Sequence, residues 1–511
     1  MPTQTKETLF KNIWQTANDL RGTLDESDFK SYVLGTLFYR FISEKIAGII
    51  ESTEDGLVYA DYTEEIPDEV RDSIIDEVGY FVYPNQLFCN IAKNAETNDN
   101  LNVDLYNAIH AIETNSKVID GHKVLDGCFL GMNPSNEKLG RTIKERNERL
   151  TKLLKCIEGF DIHEAGTVEN DIFGDAFEYM MGLYASNAGK VGGEYYTPSE
   201  VGELLARLTT TDNKDIATVY DPTAGSGGLV LKFAKVIGAD KDSDPLTYYG
   251  QEINATTHAL SRMNMLVHGV SPSAFHFYCG NTLTDPAWLD KKPFDVIVSN
   301  PPYSLKWDGK DNVQLANDER FTPAGVLAPK SKADLAFVMH ALNYLSEDGK
   351  AGIVLFPGTL YREGAEKAIR KYLVDNNYIE GIIQMPANLF YGTTIATAVV
   401  VLKKGKEDSK VRFINASDYF VKAGKMNQLT KENIDTILNY YTGKEDVKGI
   451  AKTVDIQDIA NEDYKLTVST YVESIEEEKI DIEEVNRELE ALEERQGILR
   501  KKIHEIVEEI M

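Results

Sequence analysis

The stretch ATVYDPTAGSGGLVLKF, residues 217–233, decides the fold of this 511-residue chain. A β-branched apolar run reaches an acidic residue, a glycine-rich turn follows, and a second apolar run then begins with helical spacing. Glycines let such a turn adopt conformations closed to other residues and let a ligand approach its amides. It is neither the dinucleotide-binding nor the Walker pattern, because the third glycine position holds Val230 and no Walker lysine follows. The stretch therefore predicts a strand, a ligand-facing turn and a helix.

Similar apolar runs recur towards the C-terminus and alternate with helical stretches. This alternation predicts an α/β fold, in which a largely parallel sheet has helices on both faces. The last run follows its predecessor too closely for a helical crossover, so we expect it to be antiparallel. The predicted strands are 217–220, 247–251, 274–279, 294–299, 350–356, 378–385 and 397–403.

The two ends of the chain have a different pattern of apolar and polar residues. Residues 1–165 read as an N-terminal helical domain, with a wide apolar stripe along 27–50. Residues 166–472 hold the predicted sheet, and 473–511 read as a C-terminal coiled-coil helix that needs a partner: the N-terminal helices, another chain, or both. Its seam is Ile482, Val485, Leu489, Leu492, Gln496, Leu499, Ile503, Ile506 and Ile510.

Composition narrows the class of protein. There are 54 Lys and Arg against 82 Asp and Glu, and the net charge of −28 has the wrong sign for holding nucleic acid by bulk electrostatics. The four cysteines show no zinc spacing, so we expect free thiols, no metal and a reducing compartment. No signal peptide or membrane-length apolar run is present. We expect a cytoplasmic protein with no membrane partner.

The tetrapeptide Asn300-Pro301-Pro302-Tyr303 directly follows a predicted strand. A planar amino group is a poor nucleophile, because its lone pair is delocalised into the conjugated system to which it is attached. An asparagine oxygen and a prolyl carbonyl can each accept one of its N–H bonds, which directs the lone pair and stabilises the positive charge of the transition state. The tetrapeptide resembles the N-P-P-Y motif of methyltransferases that act on planar amino groups, and the glycine turn resembles the D-P-x-x-G-S-G motif of S-adenosylmethionine-dependent methyltransferases.

Further segments extend the resemblance over almost the whole chain. They are 194–198, 261–268 (SRMNMLVH), 327–337 (LAPKSKADLAF), 385–394 (MPANLFYGTT), the N-terminal ANDLRG and LFYRFISEK, and the tail. Together they resemble the modification subunit of type I restriction–modification systems, a gamma-type adenine methyltransferase. The resemblance implies a class I Rossmann-like sheet, S-adenosylmethionine as cofactor, and methyl transfer to N6 of a flipped adenine in DNA. It also implies assembly with a second copy of the chain, a specificity subunit and, for cleavage, a restriction subunit.

The resemblance also assigns roles to residues. Asn300, Pro301, Pro302 and Tyr303 would be catalytic, and Tyr303 and Phe390 would stack on the base, although Phe390 also suits a core position. The segment 194–198 would close over the methionine end of the cofactor, although its tyrosines also suit packing and Thr197 or Ser199 could instead cap a helix. Asn281 stands where the family usually has an acid, which weakens the expected cofactor contact. The expected cofactor-binding residues are Glu194, Tyr195, Tyr196, Thr197, Pro198, Ser199, Asp221, Thr223, Gly225, Ser226, Gly227, Gly228, Glu252 and Asn281.

Three alternatives remain open from the sequence. A protein glutamine methyltransferase would use the same tetrapeptide on an amide, and a non-catalytic scaffold would retain the fold alone. A solitary adenine methyltransferase would need a target-recognition domain, yet roughly 60 mixed residues and the tail are all that follow residue 410. The basic residues after the tetrapeptide suggest either a solvated loop or a loop facing DNA; they are Lys306, Lys310, Arg320, Lys330 and Lys332.

Overall fold

The computed structural model describes residues 26–159, 172–187, 196–212, 215–237, 246–443 and 445–473, together with 489, 492–500 and 503. Two short hairpins and several single 3-10 turns accompany the main elements. The helices are α1 Glu26–Glu51, α2 Asp68–Val78, α3 Phe88–Asn94, α4 Leu101–Thr114, α5 Ile143–Glu158, α6 Ile172–Asn187, α7 Ser199–Thr209, α8 Gly228–Ile237, α9 Ala255–Val267, α10 Val313–Ala316, α11 Asp334–Tyr344, α12 Ala365–Asp375, α13 Lys431–Thr442, α14 Ile456–Asn461 and α15 Val468–Tyr471.

Within the described part of the chain, nine strands form the central sheet, in the spatial order β3-β2-β1-β4-β5-β7-β6-β8-β9. From β1 the chain adds strands first on one side and then, from β4, on the other, so the order reverses between β1 and β4. Crevices at such a reversal are where open α/β sheets bind ligands. The strands are β1 Thr218–Asp221, β2 Thr247–Glu252, β3 Phe275–Cys279, β4 Phe294–Ser299, β5 Leu345–Leu355, β6 Ile379–Gln384, β7 Ala398–Lys403, β8 Lys410–Asn415 and β9 Ala451–Asp455.

The sheet is mixed rather than wholly parallel. β7 lies antiparallel between β5 and β6, which confirms the expectation drawn from its short connection. β8 runs parallel to β6, and β9 closes the edge antiparallel to β8. The sequence interpretation missed these last two strands, because five or six residues with mixed side chains resemble loop until a neighbouring strand pairs with them.

Alternating side chains along the strands build two hydrophobic cores. Val219, Val296 and Val298 point to one face, where they join α7, α8 and α9. Tyr220 and Ile297 point to the other face, which α11 and α12 cover. Both faces are therefore buried, and this explains why the strands are apolar throughout rather than on every second residue.

The N-terminal helices continue the first of these cores. Val33 and Leu37 of α1 are fully buried, and Phe41 meets Phe173 of α6 edge-on at 5.3 Å between ring centroids. On α9, Arg262 donates hydrogen bonds to the backbone carbonyls of Val124 and Asp126. The helical region thus packs against one face of the sheet. The division of the chain at residue 165 stays a prediction.

Within the C-terminal segment, residues 492–500 are helical and the seam residues Leu492 and Leu499 are 62% and 54% exposed. Most of the predicted coiled coil lies outside the described residues. Among the described residues, no helix is long and apolar enough to cross a membrane. All four cysteines have free thiols.

Candidate active site

A cleft opens where the carboxyl ends of β1 and β4 meet. It brings together eight of the predicted residues, which come from three separate parts of the sequence. These residues are Tyr196, Thr197, Asp221, Thr223, Gly225, Ser226, Gly228 and Asn300. The cleft therefore lies at the reversal of strand order, where the topology predicts a ligand.

The glycine turn forms the floor of this cleft. Gly225 and Gly227 have φ angles of 53° and 76°, a region that L-residues with side chains rarely adopt. A Cβ atom on Gly227 would also lie 3.2 Å from the Phe277 ring. The Thr223 hydroxyl contacts that of Ser299 at 2.7 Å, which joins the turn to the end of β4. The turn is thus held close against its neighbours, with its backbone facing the cleft.

Asp221 is buried at the start of the turn with one oxygen unused. Its Oδ1 accepts hydrogen bonds from the backbone N–H and the hydroxyl of Thr223, at 2.9 and 3.3 Å. Its Oδ2 has no partner among the described residues. Burial raises the pKa of Asp221 to about 7, and the nearby Glu252 adds to this effect, while the bonds from Thr223 oppose it. A cationic group beside Oδ2 would favour the ionised carboxylate.

Glu252 and Asn281 stand at the ends of β2 and β3, beside the turn rather than in the cleft lining. Glu252 accepts hydrogen bonds from the backbone N–H groups of Gly225, at 3.1 Å, and Asn254, at 2.8 Å. Burial raises the pKa of Glu252. The Asn281 oxygen accepts from the Leu283 N–H at 3.0 Å and so shapes the next turn. An aspartate could make the same bond. Asn281, in place of the expected acid, therefore lacks the charge but keeps this structural role.

Asn300 lies between two hydroxyl groups at the end of β4. Its amide nitrogen donates to Thr197 Oγ1 at 3.0 Å, and its oxygen accepts from the Tyr303 hydroxyl at 2.8 Å. The Tyr303 ring lies against Phe356, with 6.0 Å between centroids, and burial raises the pKa of its phenol well above the ordinary value. The phenol therefore stays protonated and donates. Pro301 is buried and Pro302 half-buried, which places the tetrapeptide on the cleft wall.

The segment before α7 supplies the opposite wall. Pro198 is the N-cap residue of α7 and no side chain caps the helix, so neither Thr197 nor Ser199 has the capping role. The Thr197 hydroxyl instead contacts Asn300. Tyr196 lines the cleft and approaches Tyr391, with ring centroids 5.9 Å apart. Glu194 and Tyr195 lie outside the described residues.

One predicted aromatic residue and one of the basic residues are buried. Phe390 is only 2% exposed and packs in the core with the N-terminal helices and the first face of the sheet, so in this conformation its ring offers no free face to a base. Arg320 is also 2% exposed and belongs neither to a solvated loop nor to a DNA-facing surface. Its guanidinium donates to the carbonyls of Thr282 and Leu283 and pairs with Asp318. It therefore holds the turn that follows β3.

Several residues that support the site were not predicted from the sequence. Phe356 backs Tyr303, and the Asp334 carboxylate accepts from the Ser304 N–H at 3.2 Å, which fixes the end of the tetrapeptide. Asn264 donates to the Ser226 carbonyl at 3.0 Å and holds the glycine turn. Asn264 and Asp334 lie within segments that carried the family resemblance, so a signal was present. Their roles depend on contacts that no local pattern shows.

The residues present fit S-adenosylmethionine, the cofactor that the resemblance implies. The unpartnered Asp221 Oδ2 offers an acceptor for an ammonium group. The glycine turn has no Cβ atoms at Gly225, Gly227 and Gly228 and admits a ligand close to its backbone. Glu252 at the end of β2 holds the position of the acid that accepts ribose hydroxyls in nucleotide-binding sheets. Among the described residues, no cluster of histidine, cysteine and acidic side chains is placed to hold a metal.

Comparison with known proteins yields consistent matches over nearly the full length. The N-6 DNA Methylase family matches residues 168–480, and the HsdM N-terminal domain matches residues 9–157. The chain is 42% identical to the type I restriction enzyme MpnII methylase subunit of Mycoplasma pneumoniae, over 99% of this chain and 97% of that one. It is 31% identical to the MjaVII methylase subunit of Methanocaldococcus jannaschii, over 99% and 84%.

A solved structure extends these matches to the fold. It is the type I restriction–modification methyltransferase subunit of Streptococcus thermophilus, which is 32% identical. It superposes with a TM-score of 0.83 over 92% of this chain and all of that one.

Proposed function

The chain belongs to the N-6 DNA methylase family of type I restriction enzyme methylase subunits, and from this premise we propose that its cleft transfers a methyl group from S-adenosylmethionine to N6 of an adenine in DNA. As a member of this family the chain is an adenine-specific DNA methyltransferase. We further assign roles to individual residues, to the cofactor contacts and to the partners.

The observation that carries the proposal is the position of the Asn300 amide between Thr197 and Tyr303. Both bonds fix the plane of the amide before any substrate arrives, so its oxygen needs no reorganisation when the target amine enters. The oxygen keeps a second lone pair for one amine N–H, and the Pro301 carbonyl accepts the other. No strong general base is required, because the amine proton becomes acidic as the methyl group is transferred.

The adenine must leave the duplex to reach Asn300, because its N6 amine is otherwise paired within the helix. The Tyr303 ring, supported by Phe356, offers an aromatic surface at the same end of β4. We assign stacking on the base to Tyr303. Stacking by Phe390 stays a prediction that requires the segment around residue 390 to move.

Bound S-adenosylmethionine supplies an electrophilic methyl group, and the chain provides three sets of contacts for it. Asp221 Oδ2 would accept a hydrogen bond from the ammonium group of the methionine part. Glu252 would accept from the ribose hydroxyls, and Asn281 would contact the adenine of the cofactor. The backbone of the glycine turn would hold the part of the cofactor between these contacts.

We assign the further partners from the family and from charge. The net charge of −28 opposes binding to DNA phosphates over a broad surface. A specificity subunit that reads the target sequence and supplies positive charge resolves this conflict, with two copies of this chain in the methylating assembly. A restriction subunit joins for cleavage, and all of these steps belong in the cytoplasm.

The family assignment disfavours the rival interpretations. A protein glutamine methyltransferase would not need the N-terminal region that matches the HsdM N-terminal domain. A scaffold without activity would not need the fixed Asn300 amide and the unused Asp221 oxygen. A solitary methyltransferase is disfavoured because the similarity to a type I methylase subunit extends over 99% of this chain.

The test is transfer of a labelled methyl group from S-adenosylmethionine to unmodified DNA by the chain assembled with its specificity subunit. We expect labelled N6-methyladenine with the wild-type chain and a rate at least roughly 100-fold lower with Asn300→Ala, the usual size of the loss when a transition-state hydrogen bond is removed. Label in protein rather than DNA, or no label in DNA from a well-formed complex, would contradict the proposal.

Asn376→Ala serves as the matched control for this test. Asn376 is an exposed asparagine at the end of α12, and its amide contacts only the carbonyl of Tyr372 among the described residues. We expect wild-type methylation from this variant. Loss of activity in both variants would indicate a fault of assembly rather than a role of Asn300.

A further inference from the structure

The cleft continues past the glycine turn into a second compartment between α6, α7 and α8. The two spaces share Tyr196, Thr197, Ser226, Gly228 and Leu229 as lining, so they form one continuous site. The second compartment is also lined by Glu178, Ser199, Gly202, Lys232 and Asn264. The motifs assigned no cofactor contact to Glu178, Gly202, Lys232 or Asn264.

An ion pair lies in the wall of this compartment. Lys232 Nζ contacts the two carboxylate oxygens of Glu178 at 2.9 and 3.2 Å, and the two side chains are 20% and 18% exposed. Lys232 lies one helical turn after Gly228, which places it on the face of α8 that continues the glycine turn. Among the described residues that line the compartment, Lys232 is the only cation.

The packing of α7 against α8 leaves space for this lysine. A Cβ atom on Gly202 would lie 3.1 Å from Lys232 Cγ, so a larger residue there would press on the stem of the side chain. Asn264, which is fully buried in the same wall, has an amide oxygen without a partner among the described residues. The compartment therefore offers one cation and an unused acceptor, a set that suits a small zwitterion.

The proposed function directs one part of the cofactor into this compartment. The ribose belongs at Glu252 and the methyl group at Asn300, so the amino acid part extends along the glycine turn towards α8. We propose that Lys232, held in place by Glu178, binds the carboxylate of the methionine part and makes the site selective for cofactors that carry it. The inference rests on the proposed use of S-adenosylmethionine.

The pair with Glu178 suits this role. Burying an unpaired lysine in this wall would carry a desolvation cost, whereas the contact with Glu178 offsets that cost and orients the ammonium group while the site is free. A ligand that brings both an ammonium and a carboxylate adds one partner of each sign, so the wall stays electrically balanced when the site is filled. Bonds between charged groups in such surroundings are about twice as strong as neutral ones.

The test compares two ligands that differ only in the carboxylate: S-adenosylhomocysteine and its decarboxylated form. Calorimetry on the full-length chain gives a Kd for each. We expect the wild-type chain to prefer S-adenosylhomocysteine by roughly 10- to 100-fold, the range for a hydrogen bond to a charged group. In Lys232→Met we expect this preference to fall below about 3-fold. The ratio of the two Kd values reports on the carboxylate contact alone, because general damage to the site would weaken the binding of both ligands alike.

Two further variants complete the experiment. Lys235→Met removes an exposed lysine from the same helix and should keep the wild-type ratio. Glu178→Gln removes the acidic partner that orients Lys232 and should lower the preference, so it tests the inference where Lys232→Met does not fold; an unchanged ratio in this variant would contradict the inference. Equal affinities in the wild-type chain, or an unchanged ratio in a folded Lys232→Met, would overturn the inference alone. Absence of binding of either ligand to the wild-type chain would overturn the proposed function as well.

Discussion

The side chain of Asn300 shows how much of the site depends on single hydrogen bonds. Its amide is held at both ends, by Thr197 from the segment before α7 and by Tyr303 from its own turn. Each bond contributes only about 1 kcal/mol to stability. Its larger effect is on geometry, because the amide plane decides where the target amine can be held.

Tyr303→Phe tests this geometry while retaining the aromatic ring. Without the phenol, Asn300 loses one of its two anchors and samples other orientations, so we expect the rate of methyl transfer in single-turnover experiments to fall about tenfold, which corresponds to about 1.4 kcal/mol. Affinity for S-adenosylhomocysteine should change little. Tyr361→Phe, which alters an exposed tyrosine, is the control. An unchanged rate in Tyr303→Phe would show that Thr197 alone fixes the amide.

Asp221 predicts a pH dependence of cofactor binding. Its pKa of about 7 in the free protein lies far above the ordinary value of 3.8, so below pH 7 the carboxyl is mostly protonated. An ammonium group binds the ionised form, and protons must therefore leave when the cofactor binds. We expect the affinity for S-adenosylhomocysteine to rise with pH, by up to about tenfold per unit below pH 7, and to level off above it.

Titration calorimetry at several pH values measures this dependence. Asp221→Asn should bind more weakly at pH 8 and lose most of the slope below pH 7. The carboxyl of Glu252, whose pKa burial also raises, leaves a residual slope in both proteins. The same steep slope in Asp221→Asn would mean that another group releases the proton.

At the scale of elements, the turn between β1 and α8 combines backbone strain with close packing. Gly227 has a positive φ and also faces the Phe277 ring of β3, so two separate reasons require glycine there. The turn is further held by Asn264 from α9 and by Ser299 from β4. Three neighbouring elements thus determine the shape of the surface that meets the cofactor.

Gly227→Ala and Gly269→Ala separate those two reasons. Both glycines have a φ of 76°, but a Cβ atom on Gly269 would meet no atom within 4 Å. We expect each substitution to destabilise the fold by about 1–2 kcal/mol through backbone strain. Gly227→Ala should lose further stability and at least about tenfold in affinity for S-adenosylhomocysteine, because the Phe277 ring must move. Denaturant unfolding and calorimetry give both quantities. Equal losses in the two variants would assign the whole effect to strain.

At the scale of the whole molecule, the N-terminal helices and one face of the sheet share a single core. Arg262 and the edge-on contact of Phe41 with Phe173 add links across the same junction. A continuous core makes the two regions unfold together, because exposing either one would uncover apolar surface on the other.

Leu37→Ala tests this coupling from a distance. Leu37 lies in α1, whereas Trp288 and Trp307 lie beside the second core of the sheet region. Replacing Trp14 by Phe leaves these two tryptophans, so their fluorescence reports on the sheet region. We expect Leu37→Ala to lower the free energy of unfolding by about 2–5 kcal/mol. The midpoints of the unfolding transitions followed by fluorescence and by circular dichroism should fall together. A shift of circular dichroism alone, with the fluorescence transition unmoved, would show two independent units.

The sequence by itself determined the parts of this protein that depend on local chemistry. The alternation of apolar runs and helices predicted seven of the nine sheet strands that the described residues form, and the short connection predicted the antiparallel β7. The glycine turn and the Asn-Pro-Pro-Tyr tetrapeptide could be recognised because backbone freedom and acceptor geometry require those residue types at those positions. The order of these motifs then led to the family.

Only the tertiary structure decided the contacts that join distant segments. Thr197 contacts Asn300, which lies 103 positions away in the chain, and Arg320 donates a hydrogen bond to the turn after β3. Phe390 is buried, and β8 and β9 become strands because neighbours pair with them. Local patterns report which side chains can be buried or paired. Which of them meet is decided by long-range packing, where all elements compete for the same space.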